Sequence, residues 1–210
     1  MIRRFSEVLV ATSNEGKVRE ITAALKGLSL KIHTLRDFPA LLHVDETGEN
    51  YEDNATAKAL GYARQKGFPA IAEDSGLEVE ALGGRLGFLS ARYSGREISD
   101  ATRNQRLLLD MAHVGISRRS ARFVSIVVLA KSSSHKTQPR VLAITRGVCE
   151  GNIAKNARGA YGFGFDSIFI PTGYDQTFGE LDDSIKNQIS HRAQSMSQMR
   201  HFLADLIDQT

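Results

Sequence analysis

The sequence has a single cysteine, Cys149, among its 210 residues, so no disulfide can form within the chain. Such scarcity of cysteine is typical of proteins from a reducing compartment. No apolar run approaches the roughly 20 residues that a membrane-spanning helix requires, and the first apolar run is too short for a secretory signal peptide. Internal repeats and low-complexity tracts are also missing. These absences predict a cytoplasmic protein with no membrane partner.

A strong excess of charge of one sign is missing as well. The net charge is only +3, although the pI is about 9.1. This small excess is not typical of a protein that coats nucleic acid, so we expect no nucleic-acid partner, whereas a basic pocket for a small anion is compatible with it. Apolar residues make up 41% of the chain, which is enough for one large domain or two closely joined lobes. We expect residues 1–210 to form a single domain.

Near the start of the chain, the sequence pattern predicts a strand, a polar loop and a helix. Val8–Ala11 is apolar, Thr12–Gly16 carries turn-forming side chains, and apolar residues recur at helical spacing from Lys17. A helix N-terminus attracts an anion through its free N–H groups and its dipole, and Lys17 adds a full charge. The segment is not a Walker loop, because Ala11 and Val18 stand where that motif needs a glycine and a hydroxyl. The pattern predicts an anion site, but it is also typical of an α/β domain whose first-turn lysine is merely solvated.

A second helix is predicted from the N-cap Asn50 to Gly67, where a Gly-Phe-Pro sequence ends the pattern. On this helix Asn54 and Lys58 are i,i+4 neighbours and share a face. Lysine in an alanine-rich helix is usually exposed to solvent. The helix therefore leaves open whether these two side chains belong to a site.

Two adjacent carboxylates end the strand-like run within Ala70–Gly76. Burial of Glu73 or Asp74 is costly unless the carboxylate meets a cation or N–H donors, and Mg²⁺ or a lysine such as Lys17 or Lys58 would serve. Neighbours in an extended chain point to opposite faces, so only one of the two acids enters a given site unless the strand bulges. An exposed acidic strand end is the alternative interpretation.

The middle of the chain is predicted to change from alternating strands and helices to a hairpin. Leu77–Leu82 alternates like a separate, half-exposed strand, and Ser99–Ala112 predicts a helix with an apolar stripe. Arg118–Arg119 is interpreted as a solvated turn. Ala121–Ala130 and Arg140–Cys149 are the most strand-like runs of the sequence. Together these elements predict an α/β fold with a mixed sheet.

A glycine-rich loop, Ala157–Asp166, interleaves glycines with Phe163 and Phe165. Glycines let the backbone approach a flat ligand while an aromatic ring stacks on it, and base stacking contributes roughly 1–3 kcal/mol. Asp166 could accept a hydrogen bond from a ring N–H or an exocyclic amine. A glycine turn with two core phenylalanines is the alternative, and it is the commoner meaning of such a pattern taken alone.

The last predicted helix has Ser190 as its N-cap, which places His191 and Arg192 in its first turn. A cation at a helix N-terminus opposes the helix dipole. Basic residues at this position therefore favour an anionic or acceptor-rich ligand nearby.

Taken in order, these motifs resemble the inosine triphosphate pyrophosphatase family, which hydrolyses non-canonical purine nucleoside triphosphates. Each motif alone is weak, but the ordered set is specific and spans nearly the whole chain. The matching stretches are Thr12–Lys17, Glu46–Gly48 with Glu52–Asn54, Ala72–Gly76, Phe163–Asp166 and Ser190–Arg192, and Gly87–Gly95 is similar to the bacterial members. The sequence departs from commoner forms at Ser13, Glu73, Phe165 and Ala193, which leaves open whether Glu73 acts as a metal ligand.

The resemblance implies an elongated, two-lobed α/β fold with a central mixed sheet flanked by helices, and a nucleotide in the cleft between the lobes. It also implies a homodimer that depends on Mg²⁺. The implied catalytic residues are Asp74, Lys17 and Lys58, and the implied metal ligands are Glu46 and Asp74. The implied substrate-binding residues are Thr12, Ser13, Asn14, Glu15, Gly16, Lys17, Ser75, Phe163, Gly164, Phe165, Asp166, Lys186, His191 and Arg192.

The implied reaction converts a nucleoside triphosphate and water into the monophosphate and pyrophosphate, with Asp74 as general base. A donor such as Arg192 would pair with the keto oxygen at purine C6, whereas the amino group of adenine would leave that donor unpaired. Two alternatives stay open. One is a Maf-like pyrophosphatase of modified or pyrimidine triphosphates. The other is a non-catalytic nucleotide- or RNA-binding module, which gives no reason for Glu46 and Asp74.

Overall fold

A computed structural model describes residues 6–83, 87, 98–132 and 138–208. Within these ranges no helix is both long enough and apolar enough to cross a bilayer. The strands are β1 (Glu7–Val10), β2 (Lys31–Thr34), β3 (Ala70–Val79), β4 (Ser120–Lys131), β5 (Arg140–Ile153) and β6 (Phe169–Pro171), and the helices are α1 (Glu15–Leu25), α2 (Tyr51–Lys66), α3 (Asp100–Asp110), α4 (Asp183–Ile189) and α5 (His191–Asp208).

The strands form a sheet in the order β2-β1-β3-β4-β5-β6. β1 is parallel to β2, with Val8 opposite Ile32, and also parallel to β3, with Leu9 opposite Ala70. β5 and β6 are antiparallel. Parallel and antiparallel pairs in one sheet confirm the predicted mixed α/β class.

The chain packs into two compact units. The first contains Met1–Asp74, Ser125–Gly147 and Arg192–Thr210, and the second contains Ser75–Val124 and Val148–His191. Each unit has its own buried apolar core.

The first unit buries apolar side chains on both faces of its strands. Alternate residues of a strand point to opposite faces, so Val8 and Val10 pack with α1 and α5, whereas Leu9 and Ala11 pack with the alanines of α2. The end of β1 lies beside the start of β3, because the N–H of Ala11 donates to the carbonyl of Ile71. The loop after β1 therefore lies next to the carboxylates near the end of that paired segment.

In the second unit, Leu107 of α3 and Met111, which caps the end of that helix, pack with the buried rings of Phe123, Phe169 and Phe178. The predicted apolar stripe of this helix is confirmed, and Ser99 caps it as expected by accepting from the N–H of Thr102.

The predicted solvated turn at Arg118–Arg119 was wrong for Arg119. Its side chain is only 4% exposed, and its guanidinium donates to the carbonyl oxygens of Met111, Val114, Ile153 and Ala154. Arg119 therefore satisfies the carbonyl groups of two segments that meet in the second unit, and its guanidinium is not exposed to solvent.

Local chemistry predicted the ends of α2 and misplaced the end of β3. Asn50 accepts from the N–H of Asp53, and Gly67 adopts a left-handed conformation with φ of 74°, so both predicted caps are confirmed. The predicted break after Gly76 was wrong, because β3 continues to Val79. Helix α4 was not predicted, although α5 begins at His191 as expected.

Candidate active site

The loop between β1 and α1 is a compact turn that ends at Lys17. Oδ1 of Asn14 accepts from the Lys17 N–H over 3.0 Å, and Oγ1 of Thr12 accepts from the Asn14 N–H over 3.2 Å. Ser13 and Glu15 are exposed, and Glu15 pairs with Arg36. The turn thus sets Lys17 in the first turn of α1, where the helix dipole and the ammonium have the same sign.

The Lys17 ammonium meets Glu73, whose side chain is fully buried. Nζ of Lys17 lies 2.8 Å from Oε2 of Glu73, and Oε1 accepts from Oγ of Ser125 over 2.9 Å. Arg192 donates to the same Oε1 from Nε and Nη2, at 3.2 and 3.1 Å, and its Nη1 pairs with Glu20. One carboxylate therefore ties α1, β4 and the start of α5 to β3.

A second set of contacts surrounds Lys58 on α2. Its ammonium donates to Oε1 of Glu46 over 2.7 Å and to the carbonyl oxygen of Glu73 over 2.9 Å, and it lies 3.7 Å from Oδ1 of Asp74. Asn54 donates to Oδ2 of Asp74 over 3.2 Å. Lys58 is only 7% exposed and Asn54 only 3%, so the alternative that these two side chains face solvent does not hold.

We call these seven ionic side chains of the first unit the charged cluster: Lys17, Glu20, Glu46, Lys58, Glu73, Asp74 and Arg192. Burial raises the pKa of Asp74, and the nearby Lys17 and Lys58 oppose that rise. Burial by itself would lower the pKa of Arg192, but Glu73 and Glu20 outweigh it and raise that pKa. Asp74 is thus a carboxylate with an increased affinity for a proton, held beside two ammonium groups.

In the second unit, the glycine-rich loop closes on Asp166. Oδ2 of Asp166 accepts from the Phe163 N–H over 2.8 Å and from the Lys186 ammonium over 2.5 Å. That ammonium also lies 4.6 Å from the centroid of the Phe163 ring, within the range of a cation–π contact. Phe163 is half-buried. This ring is therefore positioned by groups that could also contact a base.

Two other rings of this region, those of Phe165 and His191, are buried. Phe165 is only 5% exposed and belongs to the core of the second unit, which matches the alternative interpretation for that ring. His191 is also buried and stacks on Phe123, with ring centroids 4.6 Å apart and planes 11° from parallel. Direct contacts of Phe165 and His191 with a ligand stay predictions.

A model of the Ham1 family matches residues 8–202. This chain belongs to the Ham1 family. It is 37% identical over 198 residues to a dITP/XTP pyrophosphatase of Oceanobacillus iheyensis, covering 94% of this chain and 98% of that protein. It is 41% identical over 188 residues to a dITP/XTP pyrophosphatase of Haemophilus ducreyi, covering 90% and 93%.

Solved structures agree with this membership. A HAM1 protein from Coxiella burnetii matches with a TM-score of 0.83 and 37% identity over 95% of this chain and 98% of that one. The Ham1 protein of Staphylococcus aureus matches with a TM-score of 0.80 and 31% identity over the same shares. The family resemblance carried by the motifs is confirmed.

The structure of this Ham1-family protein gathers the predicted residues into two sets. Lys17, Lys58, Glu46 and Asp74 meet in the first unit, where Thr12–Gly16 and Arg192 also lie. The second unit holds the rest, namely Ser75, Phe163, Gly164, Phe165, Asp166, Lys186 and His191. The Gly87–Gly95 motif lies outside the described residues apart from Gly87.

Sequence reasoning missed several supporting groups. Glu20 lies one helical turn after Lys17 and pairs with Arg192, so its i,i+3 spacing was an available signal. Ser125, Asp100 and Asn104 carry no local motif, and only the fold reveals their partners. Among the described residues no group of three or more His, Cys, Asp or Glu side chains is arranged to hold a metal ion.

Proposed function

We propose that this protein hydrolyses non-canonical purine nucleoside triphosphates such as ITP, dITP and XTP to the monophosphate and pyrophosphate. The observation that carries the proposal is the charged cluster, where two lysines flank Asp74 beside a helix N-terminus. Membership of the Ham1 family supports it, since the relatives from Oceanobacillus iheyensis and Haemophilus ducreyi are dITP/XTP pyrophosphatases.

The phosphate tail is assigned to the loop Thr12–Gly16 together with Lys17 and Lys58. Thr12, Ser13 and Asn14 offer hydroxyl and amide donors, and Gly16 leaves space for close approach. Because Glu73 and Glu46 hold the two lysines in place, their charges are fixed before the substrate arrives. Preorganised charges lose little free energy to reorganisation when negative charge develops on the phosphates.

The balance of charge supports a requirement for Mg²⁺. The charged cluster sets three cations against four carboxylates, so a polyanionic tail would be repelled unless a divalent cation accompanied it. Glu46 and Asp74 fit such an ion, because both approach the same Lys58 ammonium and offer oxygen ligands. Mg²⁺ is commonly held by one or two carboxylates plus substrate phosphates. When bound, it would neutralise phosphate charge.

Asp74 is assigned the role of general base. Its raised pKa makes the carboxylate a better proton acceptor than an exposed aspartate, while Lys58 and Asn54 hold its two oxygens. The water that loses a proton to Asp74 attacks the α-phosphorus, and pyrophosphate leaves. Because water attacks the phosphorus directly, this mechanism requires neither a covalent intermediate nor a nucleophilic Ser or Cys.

The base is assigned to the second unit, with Phe163 as the stacking ring. Asp166 and Lys186 supply an acceptor and a donor beside that ring. Ser75 and the backbone of Gly164 and Phe165 complete the assignment. His191 and Arg192 are kept as readers of the purine edge, although Arg192 is held by Glu73 and Glu20 in the described structure.

We further propose that residues 1–210 act as one pyrophosphatase domain in a cytoplasmic homodimer. The match of the Ham1 model to residues 8–202 supports a single functional domain, because that range includes residues of both units.

The test is a panel of ITP, dITP, XTP, ATP, GTP, CTP and UTP, with and without Mg²⁺, in which pyrophosphate and orthophosphate are measured separately. We expect Mg²⁺-dependent pyrophosphate release from the first three and kcat/KM at least about 100-fold lower for ATP. Preference for pyrimidine triphosphates would favour the Maf-like alternative. Saturable binding without product would favour a binding module.

A further inference from the structure

Two side chains of α3 hold both peptide groups of Gly164. The Gly164 N–H donates to Oδ2 of Asp100 over 2.6 Å, and Nδ2 of Asn104 donates to the Gly164 carbonyl oxygen over 2.9 Å. Asp100 and Asn104 are i,i+4 neighbours, so one face of the helix presents both groups. The glycine is thereby fixed at its amide and at its carbonyl.

The Asn104 side chain that makes this contact is buried. Its side chain is 3% exposed, and Nδ2 also donates to Oγ of Ser167 over 2.9 Å. Because a carbonyl oxygen can only accept, the bond to Gly164 determines which way the Asn104 amide faces. A buried amide costs free energy unless it is hydrogen-bonded. Leu107 on the same helix and Met111 at its end fill the core, whereas Asn104 holds the glycine-rich loop.

The held glycine follows Phe163 directly. The N–H groups of Phe163 and Gly164 are both tied to carboxylates, those of Asp166 and Asp100. Gly164 has a φ of 64°, which L residues with side chains rarely adopt. Loss of the α3 contacts would allow the loop other conformations, and a ligand would then have to order the Phe163 ring at a cost in conformational entropy.

We propose that Asp100 and Asn104 are positioning residues for purine recognition, which hold Phe163 ready to stack on the base. This inference rests on the proposed function, and neither side chain needs to touch the substrate. It implies that removal of either contact weakens binding of the base and leaves binding of the phosphate tail nearly unchanged.

The test measures, by calorimetry on the full chain, the Kd of two probes: inosine monophosphate, which carries the base, and inorganic tripolyphosphate, which does not. In Asn104→Ala we expect the Kd of inosine monophosphate and the KM for ITP to rise about 10-fold. The Kd of tripolyphosphate and kcat should change by less than about twofold, since only the loop is altered.

Asp100→Ala is the second variant, and it should shift the same quantities in the same direction. The Asp100 side chain is 48% exposed, so its removal does not disturb the core even if Asn104→Ala folds poorly. Gln105→Ala, an exposed position on the same helix, is the matched control and should leave every quantity unchanged.

Weaker binding of both probes in both variants would overturn the inference, because it indicates a general loss of structure. Unchanged binding of inosine monophosphate would overturn it as well. Failure of the wild-type chain to release pyrophosphate from ITP would instead contradict the proposed function. Selective loss of inosine monophosphate binding in the variants would support the positioning role even then.

Discussion

The charged cluster of the first unit and the glycine-rich loop of the second hold their functional groups in different ways. In the cluster, side chain holds side chain: Lys17 of α1 pairs with Glu73 of β3, and Lys58 of α2 pairs with Glu46 in the segment that precedes α2. In the loop, side chains hold backbone: Asp166 and Asp100 accept from successive N–H groups. Variants in the cluster should therefore affect chemistry and stability, whereas variants in the loop should affect affinity in graded steps.

Gly162 illustrates the same difference between the charged cluster and the glycine-rich loop. At Gly162, with φ of 75°, a Cβ would overlap the Asp166 carboxylate, so the loop can close on that carboxylate only because no side chain is present. In the charged cluster, by contrast, the closely packed groups are long side chains whose reach allows partners far apart in sequence. The cluster depends on which charges are present, and the loop depends on backbone conformation.

The largest expected effect is that of Asp74→Asn. Asparagine can keep the contact with Asn54 but cannot accept the proton of water, so we expect kcat on ITP to fall about 10²- to 10⁴-fold with Tm nearly unchanged. Initial rates of pyrophosphate release measure the loss. Asp45→Asn, whose side chain is 85% exposed beside Glu46, is the control and should keep wild-type rates. Near-normal turnover of Asp74→Asn would exclude Asp74 as the base.

Glu73→Gln should be the next largest change, because Glu73 is the buried partner of two cations. Loss of its charge leaves Lys17 and Arg192 poorly compensated, and we expect the free energy of unfolding to fall by about 3 kcal/mol. Urea denaturation measures this difference. Glu7→Gln, which removes the negative charge from the partly exposed contact with His33, should cost about 1 kcal/mol or less. Equal losses in the two variants would show that the cluster is no more than a surface network.

The charged cluster could be predicted only in part, for a physical reason. Lys17 and Asp74 each stand in a local motif whose chemistry is indicated by a few residues, whereas the helix pattern around Lys58 left its role open. The partners of Glu73 lie 52 and 119 residues away in Ser125 and Arg192, and no local pattern contains that information. A sequence can therefore indicate that a buried acid needs a partner without indicating which partner it finds.

The same division applies to the fold. The ends of α2 were predictable because Asn50 and Gly67 act on their own helix ends. Gly76 was misread as a turn residue, since the position of β3 in the sheet, next to β4, is not a local property. Arg119 was misread for the same reason, because two of the carbonyl groups that it satisfies, those of Ile153 and Ala154, belong to a distant segment. Local sequence rules fail where the conformation or burial of a residue is determined by contacts with distant segments of the chain.

Phe163→Leu tests the role of the glycine-rich loop in affinity for the base. Leucine keeps apolar contact but loses the flat ring, so we expect KM for ITP to rise about 5- to 100-fold while kcat changes by less than about threefold. Steady-state kinetics separate the two parameters. Tyr174→Leu, an exposed aromatic residue of the same unit, is the control and should leave KM unchanged. A large fall in kcat with KM unchanged would contradict the assignment of Phe163 to the base.

Gly164→Ala should have the smallest effect, and it separates conformation from contact. An added Cβ at Gly164 meets no neighbouring atom, but φ is 64°, so alanine is disfavoured there by about 1 kcal/mol. Gly83 is a matched control, since its φ is 63° and its Cβ would also meet nothing. Both variants should lose similar stability in urea denaturation, whereas only Gly164→Ala should raise KM for ITP, by about two- to fivefold. An equal rise in both would mean that the loop is sensitive to stability alone, and the distinction between a cluster held by charges and a loop held by its backbone would then be lost.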